Sequence, residues 1–243
     1  MESQQAGGAD RAGGAEVAHA TRALSPQVIA LMTTEHYTLQ MGRAMTISDA
    51  NGRASLFLGT VSTSLVALAF VGGLSRSGAG VGQAFYLFGL VLFPSLAFLG
   101  LVTFERVLQS GIEDLRYARG INRIRHLYQE HAPEMRPYFV LSAHDDEVGV
   151  MGNSAMHWGG WGGVWQIFLS TAGMIAVINS VIVGALVSLL LSALPAALPL
   201  GVSIGSGVAA LLLSVFLHQR SQWLQGRRNL GALRARFPST PQE

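Results

Sequence analysis

Between Glu147 and Arg220 the chain carries no Asp, Glu, Lys or Arg, and two shorter uncharged runs, residues 54–75 and 77–104, precede it. An ordinary soluble domain, in which about a quarter of residues are charged, does not sustain such runs. Here 12% of residues are charged and 50% are apolar. A hydrocarbon core of ~30 Å is crossed by about 20 apolar residues rising ~1.5 Å each. Each early run crosses once. The later stretch, 148–217, is interrupted by Pro195 and Pro199 and accommodates two crossings joined by a tight turn. The pattern therefore predicts an all-α integral membrane protein with four transmembrane helices, arranged as two antiparallel hairpins plus cytoplasmic amphipathic helices.

The segments between the runs set the organisation. Residues 1–24, with Gly7-Gly8 and Gly13-Gly14, show no apolar period and are expected to form a flexible tail. They hold no apolar core of a cleaved signal, so insertion is expected to be directed by the first span. Residues 25–53 form a cytoplasmic entry helix that starts at Ser25-Pro26, an N-cap followed by proline at the first helical position. A polar hinge or helix start is expected at Asp49-Ala50-Asn51-Gly52. Residues 54–104 form the first hairpin. In 105–163, Leu108, Ile112, Leu115, Ala118, Ile121, Ile124 and Leu127 recur at helical spacing, which predicts a cytoplasmic stalk continuing from span two. Pro133 and Pro137 end it, 137–143 is read as extended, and 148–163 is read as a loop rich in Gly and Trp. Residues 164–217 form the second hairpin and 218–243 a basic amphipathic tail.

Fifteen of the sixteen arginines lie before span one, in the middle segment or in the tail, and Arg76 alone lies in a short connection. The excess of positive charge near span ends marks the cytoplasmic side, so both termini are expected inside a bacterial plasma membrane. Trp158, Trp161, Trp165 and Trp223 then fall at the inner interface, where an indole ring is well solvated at both ends. In the tail, Trp223, Leu230, Leu233 and Phe237 alternate with Arg220, Arg227, Arg228, Arg234 and Arg236, the profile of a helix lying on anionic lipid headgroups. Insertion rules account for these arginines, and no nucleic-acid partner is expected.

One string has the composition of a site. His144, Asp145, Asp146 and Glu147 combine an imidazole with three carboxylates, which suits a hard or borderline cation. Adjacent residues point in different directions, so a metal centre needs distant partners such as His131, Glu134 or His157. The alternative is a solvated, helix-capping or arginine-pairing loop. Within the spans no Asp, Glu, Lys, Arg or His occurs, which disfavours an ion-coupled pump. Lysine is absent, which excludes the lysine of a phosphate-binding loop, and no cofactor is expected. Cysteine is absent too, which excludes disulfides and thiolate chemistry.

Small residues offer the clearest packing signal. Ala172, Ala176, Ser180, Gly184 and Ser188 recur every four residues in span three, and span four carries Gly201, Gly205 and Ala209 as well as Ser203 and Gly207. Such rows let helix backbones approach closely where lipid removes the hydrophobic drive.

Residues 35–55, EHYTLQMGRAMTISDANGRAS, together with RGINRIR at 119–125 and PYF at 137–139, resemble four-span membrane proteins of high-GC actinobacteria. The resemblance implies an integral inner-membrane protein and assigns no site residues. The functional expectation is a non-enzymatic membrane component that self-associates or docks a cytoplasmic protein partner. The alternatives are an oligomeric channel or membrane-perturbing effector, and a membrane-bound metal-dependent hydrolase using 144–147.

Overall fold

The computed structural model describes residues 24–74, 81–153, 168–192, 199–232 and 234–239, and among these it is all-helical. The expected flexible tail, Arg76, Trp158, Trp161, Trp165 and His157 lie outside the described residues. The elements are α1 (Pro26–Leu74), α2 (Val81–His131), a 3₁₀ turn (Pro133–Tyr138), α3 (Glu147–Asn153), α4 (Thr171–Ser192) and α5 (Leu200–Ala232). Four of them, α1, α2, α4 and α5, are long and apolar enough to cross a membrane.

Ser25 caps α1 as expected: its Oγ accepts the Val28 N–H at 3.3 Å. No hinge follows. The helix runs through Asp49-Ala50-Asn51-Gly52 without a break, which corrects the expectation drawn from that polar tetrad. Two local causes are visible. Arg53 reaches back one turn to Asp49 at 2.8 Å, and Ala50, Ala54 and Phe57 stack on one face against the core. Packing of that face outweighs the ~1 kcal/mol that a glycine costs a helix.

The expected helical continuation past Phe104 is present: α2 is a single helix of 51 residues that runs without a break from Val81 to His131. Ala132 and Pro133 end it. Pro137 and Tyr138 close a 3₁₀ turn instead of starting an extended segment, and Phe139 is the first extended residue. Residues 148–153, expected in a loop, belong with Glu147 to the short helix α3, because Asp146 caps it: Oδ1 accepts the Gly149 N–H at 2.9 Å. Gly149 is required there. A Cβ at this position would lie 2.3 Å from the His144 carbonyl oxygen.

Helices α1 and α2 run antiparallel, with Gly42 against Tyr117 near one end and Gly72 against Phe85 near the other. Arg43 and Asp114 join them at 2.7 Å. Helices α4 and α5 are likewise antiparallel, through Gln222 to Ser170 at 2.9 Å, Ser180 to Ser214 at 3.0 Å and Ser188 to the Ser203 carbonyl at 2.8 Å. The buried core forms where α1, α2 and α4 meet, around Phe57, Phe104, Ile175 and Ala176.

Candidate functional site

The site starts from α2, whose stalk presents Arg119, Asn122, Arg123 and His126 toward the chain that returns from the 3₁₀ turn. Asp145 follows in an extended stretch and is fully buried. A carboxylate there needs donors, because a buried unpaired charge is costly. Arg123 supplies one from Nε at 2.6 Å. The backbone N–H groups of Phe237 and Arg236 supply the rest, at 2.7 and 2.9 Å to Oδ1. Asp145 in turn donates its own N–H to the Phe237 carbonyl at 3.2 Å. Burial by itself would raise the pKa of the Asp145 carboxyl. The Phe237 and Arg236 amides and the Arg123 guanidinium prevail and hold it below the ordinary carboxylate range.

Asp146 continues the notch. Its Oδ2 accepts the Ser239 N–H at 2.8 Å and the Ser239 hydroxyl, while Oδ1 caps α3. Burial again opposes ionisation, and the Ser239 and Gly149 donors outweigh it, so this carboxyl too lies below its usual value. The Phe237 ring stacks on His126 with centroids 4.0 Å apart, and His144 lies 6.2 Å from His126. Behind the notch, Asn122 binds the His144 carbonyl at 2.7 Å and accepts from Asn153 at 2.9 Å, while the Asn153 Oδ1 takes the Ser142 N–H at 2.7 Å. Residues 234–239 are thus held against α2 and the chain that leads into α3.

Of the string 144–147, Asp145 and Asp146 serve as acceptors for a peptide segment and Glu147 begins α3. Among the described residues no three of His, Asp and Glu converge to hold a metal ion. Glu134 is exposed, and His131 turns back to the Leu127 carbonyl at 3.0 Å.

The small-residue rows separate cleanly. On α4, Ala172, Ala176, Ser180 and Gly184 are buried, and Ser188 reaches across to α5. On α5 the contacting row is Ser203, Gly207 and Ser214. Gly201, Gly205 and Ala209 are exposed instead, and Gly201 and Gly205 have open space where a Cβ would stand. The closest approach is at Gly184 and Gly207: a Cβ on Gly207 would lie 2.6 Å from the Gly184 carbonyl oxygen.

The basic segment 218–232 does not begin a separate helix. It prolongs α5 and stays beside the α2 stalk, where Gln225 meets Glu105 at 3.3 Å. Fifteen residues beyond Leu217 carry the chain about 22 Å along the helix, so Arg234 and Arg236 are delivered to the notch. Arg220, Arg227 and Arg228 remain exposed, and Arg227 covers the Trp223 ring at 5.0 Å. This corrects the reading of residues 218–237 as a helix of their own.

A second polar cluster escaped sequence reasoning because its histidine lies one residue past the uncharged span. His218 on α5 packs edge-on against Phe104 of α2 at 4.7 Å, its Nδ1 lies 2.8 Å from the Ser214 carbonyl, and Asn179 of α4 approaches at 3.5 Å. Gly100 makes room for it: a Cβ there would lie 2.2 Å from Asn179 Oδ1. A cavity of about 370 Å³ opens at this cluster, lined by Phe104, Ser214 and His218, and another of about 390 Å³ lies between Arg43, Asp114, Met151 and Gln222. Compared with family models, with curated proteins and with solved structures, the chain matches none.

Proposed function

We propose that this chain is a non-enzymatic multi-pass protein of a bacterial plasma membrane, crossing it as two antiparallel hairpins with both termini in the cytoplasm. Its inner layer docks a protein partner, a second copy of the chain included. The distribution of arginine supports the orientation.

One observation carries the docking reading. Only about 20 residues of a helix are needed to span the hydrocarbon, so the charged half of α1, 26–53, projects beyond it. On that half Leu31, Tyr37, Met41 and Met45 are each more than 60% exposed. At 100° per residue they fall within an arc of about 120°, centred about 130° around the helix from the side where Leu39, Gly42 and Arg43 meet α2. Apolar side chains gathered on one face outside the lipid mark an interaction surface.

The channel reading has weaker support, because the Thr60, Thr63, Ser95 and Thr103 hydroxyls bond back to carbonyls of their own helices. A hydrolase at 144–147 has weaker support again, since the Asp145 oxygens are taken by Arg123 and backbone amides.

The test is photo-cross-linking in intact cells from benzoylphenylalanine at Leu31, Met41 or Met45, with Glu113 as the control position. A defined adduct from the stripe and none from the control is the expected result. Absence of adducts from all three positions, with a strictly monomeric purified protein, overturns the proposal.

A further inference from the structure

We propose that Ser239 is a phosphorylation site, and that a phosphoryl group on its Oγ unlatches residues 234–239 from the Asp145–Asp146 notch. The inference stands on contacts independent of the apolar face of α1.

The segment has the form of a latch. It leaves α5 after Ala232, adopts no helix, and is fixed mainly by polar contacts: two backbone N–H groups on Asp145, the Ser239 N–H and hydroxyl on Asp146, and the Arg234 carbonyl near Arg123 at 3.5 Å. Phe237 on His126 is its aromatic anchor. Among the described residues, the Ser239 N–H and hydroxyl both go to a single carboxylate oxygen, Asp146 Oδ2.

That end is also the accessible one. Ser239 is exposed, and Arg236 and Arg234 stand three and five positions before it with exposed side chains. A non-helical segment with arginines at those offsets presents what a basic-directed protein kinase reads: a backbone free of helix, an accessible hydroxyl and upstream cations for its acidic subsites. In the transfer, the Ser239 oxygen attacks the terminal phosphorus of a nucleoside triphosphate. The new O–P bond forms as the bond to the bridging oxygen breaks, the nucleoside diphosphate leaves, and the hydroxyl proton passes to the kinase base.

The consequence follows from charge. The hydroxyl now donates to Asp146 Oδ2. Its phosphate ester has no proton to give at neutral pH and carries about −1.5 to −2 charge, set against Asp146 and next to Asp145. Like charges at hydrogen-bond distance repel, and both carboxylates are held ionised by their remaining donors. The contact that closes the latch becomes the one that opens it.

Full-length protein in lipid nanodiscs tests this through trypsin cleavage of the Arg236–Phe237 bond, whose flanking N–H groups are bound to Asp145 in the closed latch. Protein carrying phosphoserine at position 239, made by amber suppression, is expected to be cut at least tenfold faster than unmodified protein. Phe237→Ala, which removes the anchor without adding charge, shows that the assay reports release. Phosphoserine combined with Asp146→Asn is expected to recover most of the protection. Mass spectrometry of protein isolated from its own cells is expected to find a phosphorylated fraction at Ser239. Unchanged or slower cleavage with phosphoserine while Phe237→Ala accelerates it, no recovery with Asp146→Asn, or an unmodified Ser239 across growth and stress conditions would each overturn the proposal.

Discussion

Phe237 donates its backbone N–H to the Asp145 carboxylate at 2.7 Å, joining positions 92 residues apart through the most buried acid among the described residues. Asp145→Ala leaves the Arg123 guanidinium and two amides without their acceptor. Arg123 is part exposed, so water takes up its charge, and the cost is set mainly by the two orphaned amides at about 1–3 kcal/mol. The expected outcome is a lowered Tm together with lost hydrogen-exchange protection of the Phe237 amide, both read on the full-length protein.

The same carboxylates fix an acid limit. Their folded pKa values lie below the ordinary carboxylate value, so their contribution to stability is complete above that value, about 3.9, and is lost as pH falls through the depressed folded values. A fluorophore on a single cysteine placed at Thr240 is expected to report a docked tail, unchanged from pH 8 to pH 5, and release only in stronger acid. Release already complete at pH 6 would contradict the hydrogen bonding described.

Two glycines on the apolar helices are expected to behave oppositely. A methyl group at Gly100 meets Asn179 Oδ1 at 2.2 Å and Phe57 Cζ at 3.0 Å, whereas at Gly205 it meets nothing. Gly100→Ala is expected to destabilise by about 1–3 kcal/mol, as overpacking does. Gly205→Ala is expected to be neutral or to stabilise by up to about 1 kcal/mol through helix propensity. Thermal unfolding in one detergent compares them directly.

The absence of native cysteine makes the topology easy to read. Single cysteines at Ser77, Ser142 and Ser239 are to be treated with an impermeant maleimide on intact cells. Reaction at position 77 alone is the expected pattern, and labelling at 239 would reverse the orientation proposed.

The spans were legible because their signal is a length without charge, which no tertiary contact alters. The stalk was legible for a related reason: Leu108, Ala118, Ile121 and Ile124 recur at helical spacing and are all buried. The tetrad at 49–52 misled because local propensity is weak beside the packing of Ala54 and Phe57. The two small-residue rows of α5 share one spacing, and only the crossing with α4 selects Ser203 and Gly207 over Gly201 and Gly205. A basic amphipathic pattern is the same whether its apolar side meets lipid or another helix, so the course of residues 218–232 was hidden. The notch was hidden more deeply, since half of it is main-chain N–H, to which any side chain could have been attached.

The unbroken course of α1 gives the molecule a mechanical property. In the proposed placement about 28 residues of it, some 40 Å, would stand outside the hydrocarbon on the same rod that crosses it. A tilt of about 5° pivoting at the membrane surface would swing the free end by roughly 3–4 Å over that arm. Placed so, force applied at Leu31 would reach the apolar half of α1 with no break in the helix between to absorb it.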